Sequence, residues 1–193
     1  MEDAYEDQSS FFAPAARTPP EQIDKRASAF EDAPLIRQLL NMTSDAMVIV
    51  DEHRQIVFAN DNFIPLLAVG DATSIIGLRP GEALGCVHSY TCTGCGTSKQ
   101  CRECGAVDAI LAALDNKTGT GTCTLTRSNK GEVDIYRLHV KSTPFPFNNE
   151  HFAVIAFFNI TSPKFKKPPD KGMLRDIQEI EKRAMQLRER LLS

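Results

Sequence analysis

The stretch 46–60, AMVIVDEHRQIVFAN, decides the fold class of this chain. It holds two short runs rich in β-branched residues, 47–50 and 55–59, on either side of the polar triplet 52–54. Two such runs around a polar turn predict a β-hairpin. Just before it, residues 34–40, PLIRQLL, begin with proline and carry apolar residues at helical spacing, which predicts a short amphipathic helix.

A buried helix and three more strands are predicted further along the chain. Residues 106–114, AVDAILAAL, are apolar and rich in alanine, as expected for a buried helix of about three turns. Residues 120–127 and 133–140 alternate between apolar and polar side chains, and 152–160, FAVIAFFNI, is typical of a central strand. This order predicts an α+β domain with a five-stranded antiparallel sheet and helices inserted between its second and third strands.

Length and composition exclude several classes of protein. The 193 residues are 42% hydrophobic and carry a net charge of −3, which suits one packed domain with tails. The lack of a concentrated positive charge argues against a nucleic-acid partner. No apolar run approaches the ~18 residues that a membrane span needs, and the N-terminus is acidic rather than signal-like. We therefore expect a cytoplasmic protein with no membrane partner.

Charge divides the chain into three parts. Residues 1–33 hold 3 basic and 8 acidic side chains without apolar periodicity, which predicts a disordered acidic N-terminal tail. Residues 34–163 hold 10 basic and 12 acidic side chains and form the predicted domain. Residues 164–193 hold 9 basic and 5 acidic side chains, and they begin with a proline-containing basic linker.

The end of the chain predicts an amphipathic, coiled-coil-like helix. Apolar residues recur there at spacings of 4, 3, 4, 3 and 4, namely at Met173, Ile177, Ile180, Ala184, Leu187 and Leu191. This heptad pattern favours a homodimer, or docking of the helix on a partner protein. A helix that folds back on its own domain is the alternative.

The motifs of the domain resemble those of PAS sensor domains. The resemblance rests on residues 44–51, SDAMVIVD, on 55–60, QIVFAN, with Phe63 following, and on 159–161, NIT. It extends over residues 35–163. It implies a PAS-like fold and a non-catalytic role as a sensory or adaptor module in bacterial signal transduction.

A narrower resemblance lies within the domain. Residues 77–86, GLRPGEALGC, 94–97, GCGT, and 101–106, CRECGA, are similar to a cysteine-rich subgroup of bacterial PAS domains. In that subgroup the domain often precedes a histidine kinase module. Nothing after Thr161 resembles the phospho-acceptor helix or the ATP-binding domain of a kinase. We therefore expect a histidine kinase as a signalling partner rather than as an activity of this chain.

Cysteines concentrate in the loop 86–104. The chain has six, of which five fall within 19 residues: Cys86, Cys92, Cys95, Cys101 and Cys104. Without an export signal, such a cluster predicts metal binding or redox chemistry rather than a disulfide framework. Two C-x-x-C-G turns, whose glycines permit a positive φ, could supply Cys92, Cys95, Cys101 and Cys104 to a zinc ion or an iron–sulfur cluster.

The subgroup resemblance implies a different ligand set. It selects Cys86, Cys95, Cys101 and Cys104 and leaves Cys92 as a spare or alternative ligand. Reduced structural thiols, or a pair that forms a disulfide, remain open as alternatives. His88 is expected to be a bystander and Cys123 a core residue.

Haem and flavin are not expected. Flavin-binding light sensors of this fold carry an N-C-R-F-L-Q stretch where this chain has GLRP at 77–80, without a cysteine. Haem-binding relatives need an axial histidine on the helix before the third strand, and residues 106–114 contain none. A small organic ligand inside the domain stays open.

The leading hypothesis is a PAS module that uses its cysteine cluster as a metal or thiol redox sensor and signals through its C-terminal helix. Two other classes of function compete with it. One is a thiol–disulfide oxidoreductase whose reactive thiol is Cys104, just before the predicted helix. The other is an interaction scaffold that a structural zinc ion stabilises.

Overall fold

The computed structural model describes residues 10–67, 75–129 and 132–159. Within these ranges, five strands form one antiparallel sheet in the order β2-β1-β5-β4-β3. The strands are β1 (Ala46–Val50), β2 (Ile56–Ala59), β3 (Gly119–Asn129), β4 (Glu132–Phe147) and β5 (Glu150–Asn159). The predicted α+β class, the hairpin and the five-stranded antiparallel sheet are confirmed.

The helices lie before the sheet and between its second and third strands. They are α1 (Pro20–Glu31), α2 (Pro34–Asn41), α3 (Pro80–Ala83) and α4 (Gly105–Leu114), with 3₁₀ turns at Ile64–Leu66, Val87–Tyr90 and Lys99–Glu103. Proline opens α1, α2 and α3, where its missing N–H would have no partner within the helix. The helices predicted at 34–40 and 106–114 are confirmed to within one residue at each end.

Strand β4 is longer than its alternating sequence predicts. We expected it to end at Val140, yet it continues through Pro144 and Pro146. Its pairing with β3 ends at Ser142, so beyond that point β4 pairs only with β5. A proline is tolerated there because its missing N–H can face the unpaired side of the strand.

Helix α4 packs against the inner face of the sheet and closes the main core, which includes Val50, Ile56, Phe63, Ile110, Val140 and Ile155. The helix begins in close contact with β3. A Cβ atom on Gly105 would lie 2.7 Å from the backbone nitrogen of Thr122, so glycine is required for this approach.

Helix α1 covers the opposite face of the sheet. Ile23 and Phe30 are buried there, and the Phe30 ring lies 4.6 Å from that of Phe147 and 5.1 Å from that of Phe152 between ring centroids. The expectation that residues 1–33 form a disordered tail is therefore wrong for residues 10–33. The apolar pattern of the sequence did not predict α1, because its two large buried side chains lie seven residues apart, with polar and small residues between them.

Residues 160–193 lie outside the described residues. The basic linker, the coiled-coil-like helix and the dimer that it favours therefore stay predictions. Among the described residues, no helix is both long and apolar enough to cross a lipid bilayer.

Candidate functional site

A cavity of about 290 Å³ lies between α4, the inner face of the sheet and the loop that joins α3 to α4. Its lining includes five of the six cysteines, namely Cys86, Cys95, Cys101, Cys104 and Cys123. Apolar side chains such as Ile110 and Phe157 complete the walls. The arrangement is a largely apolar chamber with five thiols in its wall, and His88, Ser89, Gln100 and Glu103 also line it.

The cavity separates the predicted ligands into two groups. The three cysteines common to both predicted quartets, Cys95, Cys101 and Cys104, line it together, and Cys86 joins them. Cys92 lies outside the lining residues, although it belongs to a C-x-x-C turn. Four of the five cysteines in the lining are those that the subgroup resemblance implies, and Cys123 is the fifth.

Cys123 and His88 also line the cavity. Cys123 packs against the main core as expected, but its position on β3 places it in the cavity wall as well. Burial lowers the pKa of His88, which favours the neutral imidazole. Sequence reasoning missed the place of Cys123 because only the folded sheet brings β3 beside the cysteine loop.

Helix α3 sets the position of Cys86 and Cys95. The backbone nitrogen of Cys86 donates to the carbonyl oxygen of Gly81 over 2.7 Å. The side chain of Cys95 lies directly against Gly81, where a Cβ atom would come within 2.6 Å of the sulfur. The second C-x-x-C turn begins differently, since the buried Cys101 sulfur lies 3.2 Å from the Ser98 hydroxyl oxygen.

Glu82 holds the first C-x-x-C turn against α3. Its carboxylate accepts hydrogen bonds from the backbone nitrogens of Arg79, at 2.9 Å, and Cys95, at 3.1 Å. It also forms an ion pair with Arg17 from the N-terminal segment. The acidic side chain in the sequence GEALGC is therefore a structural part of the cysteine loop.

Arg79 joins three parts of the chain behind the cavity. Its side chain is completely buried and donates to the carbonyl oxygens of Ala15 at 2.9 Å, Ala16 at 2.7 Å and His53 at 3.1 Å. Burial, together with the neighbouring charge of Arg54, lowers the pKa of Arg79 to about 10. This role could not be predicted from the sequence, because a charged residue in a loop is usually exposed.

The N-terminal segment 10–17 runs across the outside of the cysteine loop. The backbone nitrogen of Phe11 donates to the carbonyl oxygen of Thr97 at 2.8 Å, and that of Ala13 to the carbonyl oxygen of Gly96 at 3.0 Å. Gly96 has a φ of 94°, as expected for the glycine that follows a C-x-x-C turn. Gly105, the corresponding glycine of the second turn, instead starts α4, so the expected positive φ is wrong there.

Two of the cavity thiols favour the protonated form. Burial raises the pKa of Cys86 to about 11, and it raises the pKa of Cys95 well above its usual value. The neighbouring cysteines act in the same direction, because a second thiolate nearby would repel the first. A cation would be needed to ionise these two sulfurs together at neutral pH.

Cys104 has the opposite tendency. A hydrogen bond from the Cys123 side chain, together with the backbone N–H groups of Val107 and Ala106 at the start of α4, lowers its pKa despite partial burial. The same hydrogen bond raises the pKa of Cys123. The thiolate is thus favoured at Cys104, and the protonated thiol is favoured at Cys123.

The cysteine sulfurs of the cavity are donors that suit a metal with a preference for sulfur. Their arrangement does not suit a single metal ion. Zinc binds thiolate at about 2.3 Å, which brings its four sulfurs to about 4 Å from one another. Among the described residues, no group of three or more His, Cys, Asp or Glu side chains is arranged to hold a metal ion. The cysteines surround the cavity instead of meeting at one point.

The chain was compared with protein-family models, with curated protein sequences and with solved structures. Residues 35–102 match the family model described as a PAS domain. A search of curated protein sequences finds no significant match.

Similar folds occur among solved structures. The PAS domain of nitrogen regulation protein NR(II) from Vibrio parahaemolyticus is 16% identical, with a TM-score of 0.43 over 65% of this chain and 98% of that one. The PAS domain of BvgS from Bordetella pertussis is 10% identical, with a TM-score of 0.42 over 78% and 98%. The LOV protein of Rhodobacter sphaeroides is 13% identical, with a TM-score of 0.47 over 86% and 98%.

Proposed function

Since residues 35–102 match the PAS-domain family model, we propose that the protein is a non-catalytic sensory module of a signalling system and that its sensing site is the cysteine-lined cavity. PAS domains are generally sensory modules of signal-transduction proteins. The observation that carries the proposal is the presence of five thiols on the walls of one cavity beneath α4.

A metal centre in the cavity would be held by Cys86, Cys95, Cys101 and Cys104. Their thiols are the soft donors that zinc and iron–sulfur clusters take, and the apolar walls would limit access of water. The proposed centre is an iron–sulfur cluster rather than a single zinc ion, because a cluster spans several metal atoms and its cysteine ligands lie further apart than those of one ion. When bound, a cluster would supply a one-electron redox centre.

The signal passes from the cavity to the sheet. The cavity walls belong to α4, β3, β4 and β5, so a change in the site alters the packing between the helix and the strands. Strand β5 leads directly into residues 160–193, whose heptad pattern predicts the helix that pairs with a second copy or with a partner such as a histidine kinase.

Metal analysis of the full-length chain, purified without oxygen, tests the proposed site. We expect iron and sulfide in stoichiometric amounts and a broad absorption near ~400 nm. One zinc per chain in a colourless sample would favour the structural zinc scaffold instead. Metal-free protein with all six thiols titratable would overturn the metal site.

Single serine substitutions test the ligand set. We expect C95S and C101S to lose the metal, because both sulfurs line the cavity. C92S is the matched control, since Cys92 belongs to the same loop but lies outside the lining residues, and it should retain the metal. Loss of metal in C92S with retention in C86S would select the other quartet.

The lowered pKa of Cys104 supports a second candidate, a thiol–disulfide oxidoreductase. Reactive cysteines of such enzymes lie at helix N-termini, and Cys104 immediately precedes α4. This candidate requires turnover of a model disulfide by the purified protein, with loss of turnover in C104S. Absence of turnover in the wild-type chain would leave the sensory function.

A further inference from the structure

We propose that Cys104 and Cys123 are a redox-sensitive thiol pair that closes into a disulfide when the protein meets a hydroperoxide. The proposal goes beyond the sensory function above, and it concerns the chain without bound metal. It assigns the reactive partner of Cys104 to strand β3 rather than to its own C-x-x-C turn.

The contact between α4 and β3 brings the pair together. Cys104 immediately precedes α4, and its side chain lines the same cavity as that of Cys123 on β3. The following residue, Gly105, packs so closely on the strand that a Cβ atom would lie 2.7 Å from the nitrogen and the oxygen of Thr122. Cys104 and Cys123 are the chain neighbours of Gly105 and Thr122, and a disulfide needs such a close approach of the two backbones.

Cys101, which the C-x-x-C motif would pair with Cys104, has a different environment. It is buried, and its sulfur lies 3.2 Å from the hydroxyl oxygen of Ser98, three residues away. Cys104 and Cys123 are both partly exposed. Both also line the same cavity, so a small oxidant that enters it reaches the two sulfurs together.

Oxidation by hydrogen peroxide proceeds in two balanced steps. The sulfur of Cys104 attacks one peroxide oxygen, the O–O bond breaks, and a sulfenic acid and one water form. The sulfur of Cys123 then attacks the sulfenic sulfur, its proton leaves with the hydroxyl as a second water, and the S–S bond forms. Two thiols lose two electrons in total, and hydrogen peroxide accepts them.

The disulfide changes the cavity wall. It ties the first turn of α4 covalently to β3, and it removes two of the five thiols from the lining. An oxidised chain therefore lacks the Cys104 thiolate, one of the four proposed ligands. A metal-loaded site and the closed pair exclude each other.

Mass spectrometry of the full-length chain tests the pairing. The protein is reduced, freed of metal with a chelator, exposed to a small excess of hydrogen peroxide, alkylated and digested with trypsin. The sequence suits the experiment, because trypsin places Cys101, Cys104 and Cys123 on the separate peptides 100–102, 103–117 and 118–127. We expect peptides 103–117 and 118–127 to be linked in most molecules. A dominant link between 100–102 and 103–117, or no link at all, would overturn the pair.

Two variants test whether Cys123 is the partner of Cys104, with C92S as the control. C123S should abolish the link and leave a sulfenic acid on Cys104 that dimedone traps, whereas C92S should form the link as the wild type does. The wild-type mapping needs no variant, so the test stands even where C123S folds poorly. Metal content is measured separately, which distinguishes failure of the thiol pair from failure of the metal site.

Discussion

Gly81 and Cys95 lie in direct contact across the cysteine loop. A Cβ atom at position 81 would stand 2.6 Å from the sulfur of Cys95 and 3.1 Å from its Cβ. The glycine therefore allows α3 to lie against the first C-x-x-C turn. Because the carbonyl oxygen of Gly81 also accepts from the backbone of Cys86, this contact fixes two of the cavity thiols relative to each other.

Replacing Gly81 with alanine should lower stability by about 1–3 kcal/mol, the usual cost of overpacking a buried site. At an exposed helix position the same substitution would raise the free energy of unfolding by roughly 0.5–1 kcal/mol. The sign of the measured change therefore distinguishes a tight contact at position 81 from an open one. Urea denaturation of G81A measures the change. In the C95A background the cost of G81A should be smaller, because the sulfur is gone. An equal cost in both backgrounds would show that the sulfur contact is unimportant.

Replacing Arg79 with methionine should release the N-terminal segment. The substitution leaves the carbonyl oxygens of Ala15, Ala16 and His53 without their buried donor, at a cost of roughly 3 kcal/mol. Trypsin should then cleave after Arg17 faster than in the wild type. The control is R37M, because Arg37 lies on α2 and packs over Phe58, away from the cysteine loop. Equal cleavage rates in R79M and the wild type would contradict this role.

Truncation of Phe30 to alanine should cost about 3–5 kcal/mol, as expected for a buried aromatic side chain. The ring is fully buried between α1 and the sheet, in contact with Phe147 and Phe152. Thermal or chemical denaturation of F30A measures the loss, with F12A as the control because Phe12 is exposed. A loss below about 1 kcal/mol in F30A would indicate that α1 does not belong to the core.

The alkylation of Cys104 in the metal-free, reduced chain should continue at lower pH than that of Cys86. The thiolate is the reactive form, and the pKa of Cys104 is lowered whereas that of Cys86 is raised to about 11. As pH falls from 9 toward 6, Cys86 should stop reacting first. Peptide mapping after short pulses of iodoacetamide gives the rates.

The substitution C123A tests the cause of this reactivity. It removes the hydrogen bond that favours the Cys104 thiolate, so the rate profile of Cys104 should move to higher pH. C92A should leave the profile where it is. If the profile is the same in C123A and the wild type, the N–H groups at the start of α4 are sufficient and Cys123 has no influence.

Much of the sheet follows from the sequence because its side chains alternate or run apolar over short stretches. The hairpin at 47–59 and the helix at 106–114 needed only this local pattern. Asn60, the last residue of the PAS-like stretch 55–60, connects neighbouring segments through hydrogen bonds of its side chain. Its amide donates to the carbonyl oxygens of Leu40 at 2.9 Å and Asp45 at 2.8 Å, and it accepts from the nitrogen of Met47 at 2.8 Å.

The candidate site was predictable only in part. Spacing predicted the quartet Cys92, Cys95, Cys101 and Cys104, and the subgroup resemblance put Cys86 in the place of Cys92. The spacing of the cysteines along the sequence could not show that Cys92 lies outside the cavity lining, because the direction of a side chain in a turn depends on how the loop packs. Nor could it reveal Arg79 or Glu82, whose partners are hydrogen-bonding groups from other segments.

The sequence by itself determined the strands, the central helix and the concentration of thiols in one loop, because each depends on residues that are neighbours along the chain. Only the tertiary structure decided that α1 covers the sheet, that Cys123 faces Cys104 and that Arg79 is buried behind the loop. These relationships join residues that are distant along the chain. Their free energy comes from burial and from hydrogen bonds that exist only once the sheet has formed.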